Sequence, residues 1–162
     1  GAVVYVTDGR SATRRAAETG VANTVLVDLA LDYGRATRLA LSLADQCAPA
    51  AAAAATALLQ GAGLAVSPCA DVPGLAVMRT VAMLANEAAD AVNQGVCTAA
   101  AADAAMCLGV NYPLGPLAWA DRIGLPAVQA VLDNLGRTYG EDRYRVSPLI
   151  QQKVLAGKAI HD

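Results

Sequence analysis

The sequence predicts a mostly helical chain with a small α/β segment, residues 1–70, followed by an all-α domain, residues 71–162. Three observations support this fold class. Continuous apolar runs typical of buried strands occur only before about residue 70. After that point, apolar residues recur at helical spacing. The connections in the second part are short and rich in glycine and proline, which favours antiparallel helices.

The first part alternates strand-like and helix-like runs. Strands are predicted in AVVYVTD, NTVLVDL, TRLALSLAD and LAVSPCAD. One helix, SATRRAAETG, begins at the N-cap residue Ser11 and stops at Gly20. A second, alanine-rich helix closes at Gly61 or Gly63. Because the strands are apolar throughout and are interspersed with helices, the sequence predicts a parallel sheet.

The second part opens with a long helix, predicted from Pro73 to Gly95. Its apolar residues form one stripe at a spacing of three or four and a second stripe beside it. An apolar arc of this width predicts a helix that is buried on several sides. The first stripe is Leu75, Met78, Ala82, Ala85, Ala89 and Val92, and the second is Val77, Val81, Leu84 and Ala88.

Four shorter helices complete the second part, so that about five are expected. Thr98 caps AAAADAAMCLG, a helix with Asp103 on its polar side. The stretch Gly109–Gly124, GVNYPLGPLAWADRIG, predicts a helix end, a loop fixed by two prolines and a glycine, and a short helix. The last two helices begin with proline, and Ser147 is the expected cap of the final one.

Composition excludes several classes of function. A net charge of −2 and a pI near 5.3 give no electrostatic case for nucleic acid or anionic membranes as partners. No apolar run is long enough to span a membrane. Four cysteines without a CxxC pair, and a single histidine, argue against a zinc site and indicate reduced thiols in a cytoplasmic protein. Because the chain begins directly in a strand-like run, we expect a fragment of a longer protein.

Few residues offer acid–base or cofactor chemistry. The turn after the first strand, TDGRSATRR, has one glycine where a dinucleotide site needs GxGxxG. His161 is expected in a solvated tail, and Asp121 and Asp133 on a solvated helix face. Glu87 is expected to be a buried, hydrogen-bonded structural group. Arg79, two turns earlier on the same helix, either pairs locally or meets an anionic ligand.

Three segments of residues 71–157 keep the order and spacing of known motifs. They are DVPGLAVMRTVAMLANEAADAVNQGV, TAAAADAAMCLGVNYPLGPLAWADRIGL and YGEDRYRVSPLIQQKVLAG. They resemble the D-x-P-G-F-x-x-N-R helix with its later N-E-A, the D-x-A-M-x-x-G-x-x-x-P-x-G-P segment and the closing R-Y-x-x-S-P-L-L helix of 3-hydroxyacyl-CoA dehydrogenases. The segment GVNYPLGPLAW is most similar to the same segment of members that are associated with phenylacetate breakdown and 3-hydroxyadipyl-CoA. In those members a dehydrogenase is followed by a second, partial copy.

The resemblance also implies which catalytic residues this chain lacks. The family's catalytic asparagine falls at Met78, whose thioether cannot donate a hydrogen bond to a substrate oxygen. If ADQCAP is the counterpart of the family's H-F-x-N-P strand end, its proline is Pro49 and the histidine position falls near Asp45. The strand with the partner glutamate is then expected to be deleted, because Pro49 leads straight into the alanine-rich helix.

The leading hypothesis is therefore the C-terminal part of an NAD-dependent enzyme that oxidises 3-hydroxyacyl-CoA to 3-oxoacyl-CoA. The resemblance implies a truncated Rossmann-like remnant, residues 1–70, and a second, degenerate helical domain, residues 71–162. The fragment itself is expected to have no catalytic residue, no bound NAD and no metal. It is expected to supply dimerisation or pseudo-dimer packing, through the long helix and the NYPLGPLAW loop, and to close the acyl-CoA groove.

The expected partners are the rest of the parent dehydrogenase, a second copy in a homodimer, and acyl-CoA. Arg79 and Tyr112 are the candidate substrate contacts, with Arg79 placed to meet a CoA phosphate. One alternative is a stand-alone helical interaction module that binds no CoA. Another is an autonomous enzyme with an unrecognised site.

Overall fold

The computed structural model describes all residues, 1–162, and they form two compact units, Gly1–Met78 and Arg79–Asp162. The first unit is α/β and the second is all-helical, which confirms the predicted fold class. No helix combines the length and the hydropathy needed to cross a membrane.

The first unit contains a four-stranded mixed sheet. Its strands, in spatial and chain order, are β1 (Val3–Val6), β2 (Thr24–Val27), β3 (Arg38–Leu43) and β4 (Ala65–Pro68). β1 is parallel to β2 and β3 is parallel to β4, but β2 and β3 are antiparallel, with Leu26 opposite Ser42. The prediction of a parallel sheet is therefore wrong. Residues 28–37 connect β2 to β3 without a helix, and parallel neighbours need a longer crossover.

Two helices accompany this sheet, α1 (Ala12–Thr19) and α2 (Pro49–Gly61). Ser11 caps α1 as predicted, since its Oγ accepts the N–H of Arg14 at 3.1 Å. Small aliphatic residues fill the core, as expected for a chain without phenylalanine. One cluster of buried residues contains Ala12, Ala16, Leu26, Ala44 and Leu75. A second cluster contains Val25, Leu41 and Ala55.

The helical part contains the five predicted helices and one short 3-10 turn, Asp142–Tyr144. The helices are α3 (Val77–Asn93), α4 (Ala99–Val110), α5 (Pro116–Ile123), α6 (Leu125–Tyr139) and α7 (Pro148–Ala156). α3 begins at Val77 and not at Pro73 as predicted. Gly74 and Leu75 have φ angles of 75° and 51°, which an α-helix excludes, so the chain turns before the helix starts.

Two predicted helix caps have different outcomes. Thr98 caps α4, because its hydroxyl accepts the N–H of Ala101 at 3.2 Å. Ser147 stands at the N-cap position of α7, but its buried hydroxyl accepts no bond from the helix. Its N–H instead donates to Oδ1 of Asn86 at 2.8 Å, so a neighbouring amide fixes this helix start.

Candidate functional site

The start of α3 is the place where the resemblance puts the catalytic asparagine. Met78 occupies that position, and its side chain is only 4% exposed. The adjacent polar group is Asp28, at the end of β2 and 2% exposed. Its Oδ2 accepts the N–H groups of Ala76 and Val77 at 2.9 and 2.8 Å, and its Oδ1 accepts that of Met78 at 2.9 Å. A carboxylate held by the first N–H groups of a helix is an N-terminal cap.

The element order fits another match for the family's histidine and glutamate than the one expected near Asp45. Asp45 is exposed after β3, and its N–H donates to Oγ1 of Thr13 at 2.9 Å. The carboxylate hydrogen-bonded to the Met78 backbone is that of Asp28 instead. β3 directly precedes α2, where the glutamate strand is expected, so the element order needs no deletion. The residues of β3, RLALSL, include no carboxylate.

Sequence reasoning missed Asp28 as a site residue. Its signal in the sequence is an isolated acidic residue that ends the apolar run NTVLVD. Such a residue rarely stays buried unless hydrogen bonds compensate its charge. The position was therefore detectable, but its partners, 48 to 50 residues further along the chain, were not.

The turn between β1 and α1 is the candidate position for a cofactor phosphate. The N–H groups of Ala12 and Thr13, at the start of α1, both point to the carboxylate of Asp71, at 2.5 and 2.8 Å. The hydroxyl of Ser42 donates to the same carboxylate at 3.1 Å. Because Ser11 takes the next N–H, the donors at this helix start already have protein partners.

The cations beside this turn are engaged in ion pairs. Arg10 binds Asp8 at 2.6 Å and Glu18 at 2.8 Å, and Arg15 binds Asp8 at 2.9 Å. Burial alone raises the pKa of Asp8, but the hydrogen bonds from Arg10 and the charges of both arginines hold that pKa below its usual range. Arg15 also lies over the ring of Tyr5, 3.8 Å from its centroid. The turn therefore offers little free positive charge to a phosphate.

The two candidate substrate contacts have different partners. Arg79 donates to the hydroxyl groups of Tyr139, at 3.3 Å, and of Tyr144. The two tyrosine rings stack, with centroids 5.4 Å apart, and Arg79 lies against both. Tyr112 is half-buried, and its ring lies 5.8 Å from that of Trp119. Arg79 thus pairs with phenols, and no carboxylate lies within ion-pair distance of it.

The structural polar group of α3 is not the one that was expected. Glu87 is exposed, so the prediction of a buried glutamate is wrong. Its neighbour Asn86 is 4% exposed, donates to the carbonyl of Arg145 and accepts from the N–H of Ser147, both at 2.8 Å. The reason is the angular position on the helix: Ala82, Ala85 and Asn86 are buried on one face, which leaves Glu87 on the other.

The prediction for Asp121 is wrong, and the one for His161 is confirmed only in that the residue is exposed, because both side chains have protein partners. Nδ1 of His161 lies 2.7 Å from Oδ2 of Asp121, and Nε2 lies 3.2 Å from Oδ2 of Asp103. Asp121 also accepts the N–H groups of Ile160 and His161, at 2.7 and 3.3 Å. Ile160 is buried, and its apolar packing holds the adjacent His161 near the two carboxylates. The pair is a packing contact between the last residues and helices α4 and α5.

Comparisons with known proteins agree with this architecture. The profile of the 3-hydroxybutyryl-CoA dehydrogenase reduced Rossmann-fold domain matches residues 4–73. The profile of the 3-hydroxyacyl-CoA dehydrogenase C-terminal domain matches residues 74–161. Both confirm the resemblance read from the motifs and the Rossmann-like remnant.

The similar proteins are much longer than this chain. The 3-hydroxyadipyl-CoA dehydrogenase of Escherichia coli (strain K12) is 48% identical over 97 residues, which are 60% of this chain and 20% of that protein. A probable 3-hydroxybutyryl-CoA dehydrogenase of Deinococcus radiodurans is 43% identical over 89 residues, 55% of this chain and 32% of that protein. The crystal structure of 3-hydroxybutyryl-CoA dehydrogenase from Escherichia coli K12 superposes with a TM-score of 0.87 and 36% identity. The matched residues are 94% of this chain and 31% of the chain in that structure.

Proposed function

The chain belongs to the 3-hydroxyacyl-CoA dehydrogenase family, and we propose that it is a non-catalytic part of such an enzyme. In this proposal the parent protein oxidises 3-hydroxyacyl-CoA with NAD, on residues outside this chain. The helical unit supplies packing against a second helical domain and helps to close the acyl-CoA groove. A substrate of the 3-hydroxyadipyl-CoA or 3-hydroxybutyryl-CoA type fits the names of the relatives.

The observation that supports the proposal is the pairing of Met78 with Asp28. Where the family places an asparagine toward substrate, this chain has a buried thioether. The only ionisable group hydrogen-bonded there, Asp28, is committed to backbone N–H groups at the start of α3. General acid–base catalysis needs a group free to exchange a proton with the substrate. A capping carboxylate does not meet that need.

The experiment that tests the proposal is an assay of this chain alone with NAD and a 3-hydroxyacyl-CoA. We expect no NADH formation above the rate without protein, because the histidine, glutamate and asparagine positions carry other residues. An active 3-hydroxybutyryl-CoA dehydrogenase assayed in parallel controls for the substrate. Turnover that follows the chain through repeated purification would contradict the proposal.

Helix α4 is the surface proposed for packing against the second domain. It has no buried residue, although it is composed almost entirely of apolar side chains. Leu108 is 88% exposed and Val110 is 54% exposed. Asp103, the helix's one charged residue, is half-buried against α5 and not part of this exposed surface. An uncharged apolar face of this kind suits the same face of a second copy. In contrast, Leu117 and Trp119 of the NYPLGPLAW loop are buried.

A charge at Leu108 is expected to weaken self-association. Burial of a leucine contributes about 1.5–3 kcal/mol, so Leu108→Glu should raise the dimer dissociation constant at least about tenfold. Sedimentation velocity over a concentration series measures this constant. Leu155→Glu is the matched control, since Leu155 is equally exposed, at 89%, but lies on α7. Equal effects of both variants, or a wild type that stays monomeric throughout, would contradict a dimer through α4.

Arg79 is our proposed contact for the anionic part of acyl-CoA. Its guanidinium binds two phenol groups, which leave its charge uncompensated, and it retains further N–H donors. We expect Arg79→Met to weaken CoA binding about tenfold in calorimetric titrations, as for loss of a charge-assisted hydrogen bond. The exposed Arg122 provides the control, and Arg122→Met should leave the affinity for CoA unchanged.

If the wild type binds no CoA, the stand-alone interaction module becomes the better interpretation. Tyr112 stays a prediction as a substrate contact.

A further inference from the structure

His161, the single histidine of the chain, lies between two carboxylates of the helical unit. Its Nδ1 is 2.7 Å from Oδ2 of Asp121 on α5, and its Nε2 is 3.2 Å from Oδ2 of Asp103 on α4. The histidine side chain is 36% exposed, and those of Asp103 and Asp121 are 13% and 17% exposed, so water screens these contacts only in part. Each ring nitrogen therefore has a carboxylate oxygen within hydrogen-bond distance.

The backbone contacts show that both carboxylates act as acceptors. The two oxygens of Asp103 accept N–H groups at the start of α5, at 2.8 and 3.0 Å. Those of Asp121 accept the N–H groups of Ile160 and His161, at 2.7 and 3.3 Å. Because all four oxygens accept N–H groups, the imidazole has to supply the proton of each ring contact.

Protonation of the ring decides how many of these contacts are attractive. An imidazolium ring donates from both nitrogens, whereas a neutral ring donates from one nitrogen and presents a lone pair at the other. That lone pair would face a carboxylate oxygen across 2.7 or 3.2 Å, and the two would repel each other. Both hydrogen bonds therefore form only in the charged form of His161.

We infer that His161 is a pH-sensitive contact, which holds the segment Ala159–Asp162 on α4 and α5. Below the range in which a free imidazole titrates, about pH 6.5, the ring makes both bonds and adds to the stability of the helical unit. As the pH rises above this range the ring loses a proton, and this contribution is lost. All these contacts lie within the helical unit, so they do not depend on the proposed function.

The other charged groups of this part of the chain are Asp162, Lys158 and Lys153. The carboxylate of Asp162 accepts the N–H of Ala159 at 3.0 Å, and Lys153 of α7 donates to the Asp162 carbonyl, also at 3.0 Å. Carboxyl groups ordinarily titrate below about pH 5 and lysine side chains above about pH 9. Between these limits, His161 is the group whose change of charge acts on the segment.

His161→Gln tests this contact, because an amide donates an N–H but keeps the same charge at every pH. At about pH 5.5 we expect the variant to melt about 2–4 °C below the wild type, as for loss of a partly exposed ion pair. At about pH 8 the two melting temperatures should agree within about 1 °C, because the neutral ring also donates only once.

Lys158→Gln is the matched control for His161→Gln. It removes a charge beside the same segment from an exposed residue that does not titrate between the two pH values. Its melting temperature should therefore differ from that of the wild type by the same amount at both. A difference for His161→Gln that is equal at both pH values, or absent at the lower one, would overturn the inference.

The wild type provides a second readout, since a single histidine gives unambiguous ring resonances in NMR spectra. The amides of Ala118 and Ile160 donate to the same two carboxylates as the ring. We expect these amide resonances to shift over the same pH range as the ring resonances, because loss of the ring proton changes the charge beside their acceptors. A ring that titrates while both amides stay unchanged would contradict the proposed contact.

Discussion

Substitution Asp28→Ala is expected to destabilise the first unit by about 3 kcal/mol or more. The carboxylate accepts the N–H groups of Leu29, Ala76, Val77 and Met78, at 2.8–2.9 Å. Alanine leaves these donors without an acceptor at a buried position, where water replaces the carboxylate poorly. It also removes the negative charge that favours a helix N-terminus. Chemical denaturation gives the free energy of unfolding, and hydrogen exchange at residues 76–78 localises the effect.

Asp45→Ala is the matched control for this substitution. Asp45 also follows a strand, and the motif comparison placed the family's histidine near it, yet it is exposed. Its loss should change the free energy of unfolding by no more than about 0.5 kcal/mol, as is usual for surface sites. Equal effects at the two positions, or amides 76–78 that stay protected in Asp28→Ala, would show that Asp28 does not hold the start of α3.

Substitution Gly115→Ala is expected to cost about 3 kcal/mol, although Gly115 has ordinary backbone angles of −70° and 154°. A Cβ at this position would overlap the Cβ and Cγ atoms of Asp103. Asp103 cannot move away freely, because its carboxylate accepts the N–H groups of Leu117 and Ala118 at 2.8 and 3.0 Å. The substitution therefore forces either a steric overlap or the loss of the α5 cap. Thermal and chemical denaturation of the variant measure the cost.

Gly109→Ala separates this steric effect from the general effect of adding a methyl group. Gly109 lies in the last turns of α4, and a Cβ there meets no atom within 4 Å. Because alanine favours a helix more than glycine does, we expect this variant to be as stable as the wild type or up to about 1 kcal/mol more stable. A Gly115→Ala protein as stable as the Gly109→Ala protein would contradict the proposed contact between Asp103 and Gly115.

This contact gives a physical meaning to a sequence motif. The run from Asp103 to Pro116 resembles the family's D-x-A-M-x-x-G-x-x-x-P-x-G-P segment. In the structure Asp103, the acidic residue of the motif, caps the helix that starts at Pro116. Gly115, the second glycine of the motif, leaves room for that carboxylate. Sequence spacing showed the motif but not the pairing, because Asp103 lies on α4 and its partners lie on α5, beyond the loop at residues 111–115.

Local signals allowed most secondary structure to be predicted. Apolar runs located the four strands, and caps and prolines located most helix ends. The direction of β3 was missed because an apolar run looks the same in parallel and antiparallel strands. The start of α3 was missed because the positive φ angle of Leu75 has no signature in the sequence.

The polar contacts were much harder to predict than the helices. Asp28, Asp71, Asp103 and Asp121 each accept backbone N–H groups that lie far away in the sequence. The separations range from 14 residues, between Asp103 and Leu117, to 59 residues, between Asp71 and Ala12. Spacing rules describe contacts within one helix or turn, so they cannot assign partners over such distances. From composition alone these four acidic residues are expected to face solvent, whereas the structure gives each of them a structural role.

We propose that the catalytic position of the family has a structural role in this chain. The most direct test is the rate of NADH formation by the repeatedly purified chain with NAD and 3-hydroxyacyl-CoA, compared with that of Asp28→Asn. We expect both proteins to match the rate without protein, while Asp28→Asn unfolds at a lower denaturant concentration. A wild-type rate above background that Asp28→Asn abolishes without losing its fold would contradict the claim, since it would make Asp28 a catalytic residue.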